Sequence, residues 1–180
     1  INTKAITVVA DAKTKDFGAA DPALTYVGSS LEGSDAYSGS LSRAVGETVG
    51  THSITQGSVT AGSNYSISYT PANLTVNGII STLTTTDAGS IAEFSADLGG
   101  NISSNGGSAV TERGVVYSLT SANTAPTIGG TGVTKDTNVS GLNTFTESIS
   151  SLTSNTGYSF RSYAINAAGT AYGTVKTFTT

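Results

Sequence analysis

Turn-forming residues punctuate this chain about every eight to twelve positions, and that rhythm restricts it to short strands. The marks are Asp16-Phe17-Gly18, Glu32-Gly33-Ser34-Asp35, Gly62-Ser63-Asn64, Asn77-Gly78, Gly99-Gly100-Asn101, Asn105-Gly106-Gly107, Gly129-Gly130 and Asn155-Thr156-Gly157. Between them apolar residues alternate: Ile6/Val8/Ala10, Tyr65/Ile67/Tyr69, Val115/Tyr117 and Tyr158/Phe160, with Val175 and Phe178 closing the chain. Successive side chains of a strand point to opposite faces, so each run lays one face on a core and leaves Ser, Thr or Arg on the other. No helical stripe of useful length is found. The best helical candidate is one turn at Asp21-Pro22-Ala23-Leu24, where Asp could cap and Pro could take the first helical position. The fold class expected is all-β.

Composition then sets the scale. The 180 residues could make one large or two small domains, but only 37% are hydrophobic and 22 are Gly, so any core is thin. Thin cores suit small domains. Asn73-Leu74-Thr75-Val76 reads as a closing strand and Ile79-Ile80-Ser81-Thr82-Leu83 as an opening one, which puts a candidate junction near residue 78. Asn77-Gly78 between two strands is equally the signal of a hairpin.

Several function classes are excluded by what is missing. The formal net charge is −4 and the eight Lys and Arg are scattered, so there is no basic footprint for a phosphate backbone or an anionic membrane, and nucleic acid is not expected as a partner. No apolar run approaches the ~20 residues that span a bilayer, so membrane insertion is not expected. Ile1-Asn2-Thr3-Lys4 has neither the basic start nor the apolar stretch of a signal peptide. Met is absent, so Ile1 is expected to be a processed end or a boundary inside a larger protein. Cys is absent too, which removes disulfides, thiolate metal sites and cysteine nucleophiles together.

Two stretches look familiar. Ile6-Thr7-Val8-Val9-Ala10-Asp11-Ala12-Lys13-Thr14-Lys15, Phe17-Gly18, Ala20-Asp21-Pro22-Ala23-Leu24-Thr25-Tyr26, Gly39-Ser40-Leu41-Ser42-Arg43, Gly46-Glu47-Thr48-Val49-Gly50-Thr51 and Gly62-Ser63-Asn64-Tyr65 follow one another as in the MBG ("mostly beta, glycine-rich") family. Residues 5–76 resemble that family, which occurs in large bacterial surface proteins and adhesins. Phe17 and His52 stand where Tyr is more usual.

The second half carries Thr111-Glu112-Arg113-Gly114-Val115-Val116-Tyr117-Ser118, Leu152-Thr153-Ser154-Asn155-Thr156-Gly157-Tyr158 and Phe160-Arg161-Ser162-Tyr163-Ala164-Ile165-Asn166-Ala167-Ala168-Gly169. It resembles the fibronectin type III-like domain of secreted Bacteroidetes-type proteins, with Tyr117 in place of a frequent Trp and Ser154 in place of a common Pro. The two resemblances end and begin near residue 78 and favour a junction there. They imply domains at 1–77 and 78–180, the first mainly β (β-grasp-like or a sandwich), the second a fibronectin type III/Ig-like sandwich. A linker this short leaves little freedom to bend, so a stiff rod is expected.

Chemistry has few footholds. The lone His52 lies in the alternating run Gly50-Thr51-His52-Ser53-Ile54-Thr55 and reads as a surface or rim residue. Gly129-Gly130-Thr131-Gly132 with Lys135 lacks the Gly-Lys-Ser/Thr ending and the following helix of a phosphate loop. It is read as a loose hairpin. The twelve acids are spread singly, which gives no catalytic pair, and the chain is read as no enzyme. Calcium is the one cofactor entertained, with Asp16, Asp21 and Asp35 as turn ligands, although no Asp-x-Asp-x-Asp spacing occurs. A Lys–Asn crosslink would need a buried Lys beside an acid, and nothing in the sequence singles one out. Tyr158, after Asn155-Thr156-Gly157, is placed to bury its ring and tie a loop through its hydroxyl.

The function expected, by resemblance, is a structural spacer in an extracellular or cell-surface adhesin-like repeat protein. Its partners would be neighbouring domains of the same chain and, at most, a surface glycan or host ligand, with the segment itself monomeric. The alternative is an accessory carbohydrate-binding module of a secreted hydrolase, with Tyr37, Tyr163 and Tyr172 as exposed contact aromatics.

Overall fold

The structure, a computed structural model, describes residues 2–180, and these form sixteen strands and no helix. The chain divides into two compact units, one ending at Asn77 and one spanning Gly78–Thr180.

The first unit is built on two long strands that change sheets together. Strand β1 (Lys4–Ala10) is followed after two residues by β2 (Lys13–Asp16), while β3 (Tyr26–Gly28), β4 (Ser42–Arg43) and β5 (Gly50–Thr55) precede β6 (Tyr65–Thr70) and β7 (Ala72–Asn77). One sheet has the order β3-β1-β6 and the other β2-β7-β5-β4. β1 runs parallel to β6, and β2 parallel to β7. Lys4 is paired with Tyr65, Val9 with Thr70, Lys13 with Leu74 and Asp16 with Asn77, a constant separation of 61 positions.

The register therefore runs unbroken through the corner, where Asp11-Ala12 lie on one strand and Pro71 on the other. Proline has no N–H to give a ladder and is tolerated where one sheet hands over to the next. Asp11 instead donates its N–H to the Thr25 carbonyl. Alternation puts Ile6, Val8 and Ala10 of β1, Ile54 of β5 and Leu74 and Val76 of β7 inside, and Leu41, Val59 and Ala61 from the connections complete the core. The Tyr69 hydroxyl, from one sheet, donates to the Ile54 carbonyl of the other at 3.0 Å.

The expected helical turn at Asp21–Leu24 is absent; these residues lie in an irregular connection between β2 and β3. The Asp21 carboxylate that would cap it is held by Lys15 and Arg43, and Leu24 is turned onto the core.

The second unit is a sandwich. β8 (Thr82–Thr85), β9 (Gly89–Ala92), β10 (Ser95–Ser104) and β13 (Asn143–Ile149) form one sheet, in the order β13-β10-β8 with β9 on β10. β11 (Glu112–Leu119), β12 (Thr134–Asn138), β14 (Gly157–Asn166), β15 (Gly169–Tyr172) and β16 (Lys176–Thr179) form the other, ordered β12-β11-β14-β15 with β16 also on β14. All pairings are antiparallel, and the two sheets enclose Leu98, Ile102, Val115, Phe145, Ile149, Phe160 and Phe178. This is the fibronectin type III/Ig-like architecture. The Tyr158 hydroxyl accepts the Thr153 N–H at 2.9 Å, closing a tyrosine corner.

The outer face of this second sheet is not left to water. Val116, Ser118 and Ser159 are buried there, as is Pro126, which belongs to the connection between β11 and β12. Arg161 donates Nε to the Pro126 carbonyl at 2.5 Å, Ile128 N–H to the Tyr172 hydroxyl at 3.0 Å, and Ser118 Oγ to the Asn123 carbonyl at 2.7 Å. The cover is made by residues 123–128, and Gly129-Gly130-Thr131-Gly132, read from sequence as a loose hairpin, are the turns that follow it and lead into β12.

Asn166 closes the opposite end of the unit. Its Nδ2 donates to the Ile79 and Asn105 carbonyls, both at 2.8 Å, and its Oδ1 accepts the N–H groups of Ala168 and Gly169. Gly106 beside it is at φ +63°, and a Cβ there would lie 1.9 Å from the Ile79 oxygen, so only glycine fits. Replacing Asn166 by Ala removes four hydrogen bonds to part-buried backbone groups and is expected to cost about 2 kcal/mol. Urea unfolding followed by a probe in the second unit measures this, and an unchanged midpoint would refute it.

Candidate functional site

The richest cluster of charged groups is in the first unit, and it starts from a buried lysine. Alternation along β2 sends Lys15 to the core side, where its side chain is only 4% exposed. A buried ammonium must be matched by acceptors. Lys15 Nζ donates to the Ala19 carbonyl at 2.9 Å and to Asp21 Oδ1 at 2.7 Å, and lies 2.6 Å from Glu47 Oε2. Arg43, on β4, donates Nε and Nη2 to the two oxygens of Asp21 at 2.6 and 3.0 Å, and Nη2 again to Glu47 Oε1 at 2.5 Å. Its Nη1 donates to the Ala44 and Gly46 carbonyls. Two cations and two carboxylates, from two stretches of chain (residues 15–21 and 43–47), close a neutral ring.

Each partner holds the next in its charged form. The Arg43 guanidinium and then Lys15 bring the Asp21 carboxyl down to about 2, while Lys15 and then Arg43 lower Glu47. Asp21 and Glu47 in turn raise Lys15. An amine nucleophile must lose its proton and a general acid must keep one, so the ring is set against both roles. The same holds for a Lys–Asn crosslink, in which a neutral lysine amine attacks the carboxamide carbon and ammonia leaves, with a protonated acid assisting. Lys15 is the lysine the sequence did not single out, and carboxylates rather than a carboxamide face it.

His52 is a correction. It was read as a surface or rim residue, yet it is 8% exposed, sharing the inward face of β5 with Ile54. Its Nε2 lies 2.8 Å from the Thr48 carbonyl, which can only accept, so Nε2 carries the proton and donates.

The three acids considered for calcium are engaged separately. Asp21 belongs to the ring, Asp35 accepts the Tyr65 hydroxyl at 2.8 Å, and Asp16 is exposed on β2. Among the described residues no three His, Cys, Asp or Glu are grouped to hold a metal ion.

The three tyrosines do not make a platform. Tyr163 was read as exposed and is fully buried, with its hydroxyl donated to Glu112 Oε1 at 2.8 Å and Thr137 Oγ1 3.1 Å away. That burial raises its phenol. Tyr172 stacks under the Arg161 guanidinium at 4.2 Å and fastens the covering connection through Ile128. Tyr37, in the other unit, packs edge-on against Tyr26 and donates its hydroxyl to the Ser29 carbonyl at 2.9 Å.

Concavities are small. A depression of about 260 Å³ in the second unit is lined by Tyr117, Leu119, Leu152, Thr153 and Tyr158 among others, and one of about 330 Å³ in the first by Asn2, Thr3, Ser63 and Asn64. Ligand pockets run from roughly 300 to 1,000 Å³. Neither depression has a carboxylate or an imidazole in its wall.

The sequence profile of the MBG domain (YGX type) matches residues 6–75. No curated protein matches the chain. Among solved structures, the chain is similar to the sensor domain of the anti-sigma factor RsgI4 of Pseudobacteroides cellulosolvens, at 17% identity and a TM-score of 0.44, over 56% of this chain and 93% of that one. It is also similar to a run of domains from titin, at 13% identity and a TM-score of 0.39, over 99% of this chain and 61% of that one.

The ring makes the stability of the first unit depend on pH. Asp21 and Glu47 have folded pKa values below their ordinary 3.8 and 4.5, so their contribution is complete above that range and is lost as pH falls toward about 2. Lys15 is raised above 10.5, so its contribution is present below that value and is lost at more alkaline pH. Denaturant midpoints of the first unit measured across acid pH are expected to fall in that window. Asp21→Asn should flatten the fall, and an identical slope would show that the ring is not coupled to folding.

Proposed function

We propose that this chain is a non-catalytic spacer segment of a bacterial cell-surface or secreted adhesin-like repeat protein, holding a distal part of the same polypeptide away from its anchor. The observation that carries the reading is the path of the backbone through each unit. In the first, the chain arrives at the Lys4/Tyr65 end of the parallel pair and departs from the Asp16/Asn77 end. In the second, Ile79 is bonded at the Asn166 end of β14, and Thr179 pairs at its Gly157 end. The nine steps between those ends of β14 span about 30 Å. Both units thus take the chain in at one end and release it at the other, as a spacer in series requires.

Other features support it. The Asn77 carbonyl is held by Phe17 N–H, and Ile79 donates its N–H to the Gly106 carbonyl, so Gly78 alone lies between bonded residues of the two units. The MBG match fits an extracellular setting with neighbouring domains as partners. Tyr37, Tyr163, Tyr172 and the central charges are spent on internal contacts, which favours a structural role over a glycan-binding or catalytic one. The spacer acts as a monomer and needs no cofactor.

NMR relaxation of the intact chain is the test. Amides of the two units are expected to report one common tumbling time. Independent tumbling of the units would overturn the spacer reading, and binding on a glycan array would turn it toward the carbohydrate module.

A further inference from the structure

We infer that the first unit is a shear clamp, a fold whose first and last strands are paired so that tension on the chain loads the whole ladder at once. The inference deepens the spacer reading, which supplies the tension, but it stands on the pairing alone. β1–β2 and β6–β7 are the first and last strands of the unit, they are direct neighbours, and they are parallel. Tension enters at the Lys4 end of the first and leaves at the Asn77 end of the last. The two strands are therefore drawn in opposite directions along their own length.

In an antiparallel first-and-last pair, or one pulled from a shared end, bonds would open singly, each rupture exposing the next. Here they share the load. Six residue pairs lie between β1 and β6 and four between β2 and β7. The ladder is prolonged at each end, by Lys4 N–H donated to the Asn64 carbonyl and Phe17 N–H to the Asn77 carbonyl.

The constant 61-residue separation matters here. The pairs fall into two runs, one in each sheet on either side of the corner, but no bulge or register shift separates them, so both runs are loaded in the same direction at the same time. Side chains fasten both ends of the clamp. At the arriving end, Lys4 pairs with Glu32, whose N–H is donated to the Tyr65 hydroxyl, itself donated to Asp35. At the departing end, Lys15 is held by Asp21 and Glu47. A strand cannot slide by one residue without breaking both fastenings and turning Ile6, Val8 and Ala10 to the wrong face.

The absence of Cys allows the geometry to be tested in the whole chain with introduced thiols as handles. Thr3, Ser63 and Asn77 are all exposed. In Thr3→Cys/Asn77→Cys the handles pull along the clamp; in Thr3→Cys/Ser63→Cys they pull its strands apart from one end. The second unit is outside the load path in both. At equal pulling speed the first variant is expected to rupture at a several-fold higher force than the second, with equal thermal midpoints for the unloaded proteins. Equal forces, or a weaker first variant, would overturn the clamp while leaving the spacer reading intact. Independent tumbling in the relaxation experiment would remove the spacer and leave this difference standing.

Discussion

The closure of residues 4–16 against residues 65–77 is the interaction on which the first unit depends. Parallel pairing of its first and last strands encloses the whole intervening chain, and the entropy of that closure has to be met before most of the core exists. The apolar content available to meet it is small: Ile6, Val8, Ala10, Ile54, Leu74 and Val76, with Leu41 and Val59 from the connections. What the core lacks in volume is supplied by backbone bonds along two strands and by polar side chains that fasten loops to them. Tyr69 joins one sheet to the other, and the Lys15–Asp21–Arg43–Glu47 ring joins residues 15–21 to residues 43–47. Buried ion pairs are poor sources of net stability but strict about geometry, since displacing one partner strands the rest.

The second unit solves the same shortage of apolar residues differently. Its sandwich core is conventional, while the outer face of one sheet is sealed by its own connection, pinned through Arg161, Tyr172 and Ser118. Polar side chains again act as fasteners rather than as reagents. Both units therefore spend on their own architecture the residue types that elsewhere bind or catalyse.

Much of the architecture was legible in the sequence because period-2 patterning and turn residues are local signals. The alternation Ile6/Val8/Ala10 gives β1 and its inward face, and Tyr158 after Asn155-Thr156-Gly157 announces its corner. What stayed hidden depends on partners distant in sequence. The alternation of β5 was visible, but polarity suggested that His52 faced water, and only the pairing of β5 with β7 shows which face is inside. Tyr163 was taken as exposed because nothing local reveals that Glu112, Thr137 and Lys135 gather around its ring. Lys15 was indistinguishable from the other lysines until Arg43 and Glu47 were brought to it. The turn expected at Asp21-Pro22-Ala23-Leu24 had sound local signals, and a tertiary ion pair overrode them.

The bond from Asn166 to Ile79 has a consequence for assembly in time. The opening residues of the second unit are fixed by a side chain 87 positions later, so that unit cannot complete itself until nearly all of it has been synthesised. The first unit needs nothing beyond Asn77. A chain released from its amino end thus folds in discrete instalments, each finished only when its own closing strand appears, and an earlier unit is sealed before the edges of the next are exposed. For these two consecutive units, this order keeps the unpaired strands of one from being available to those of the other at the same moment.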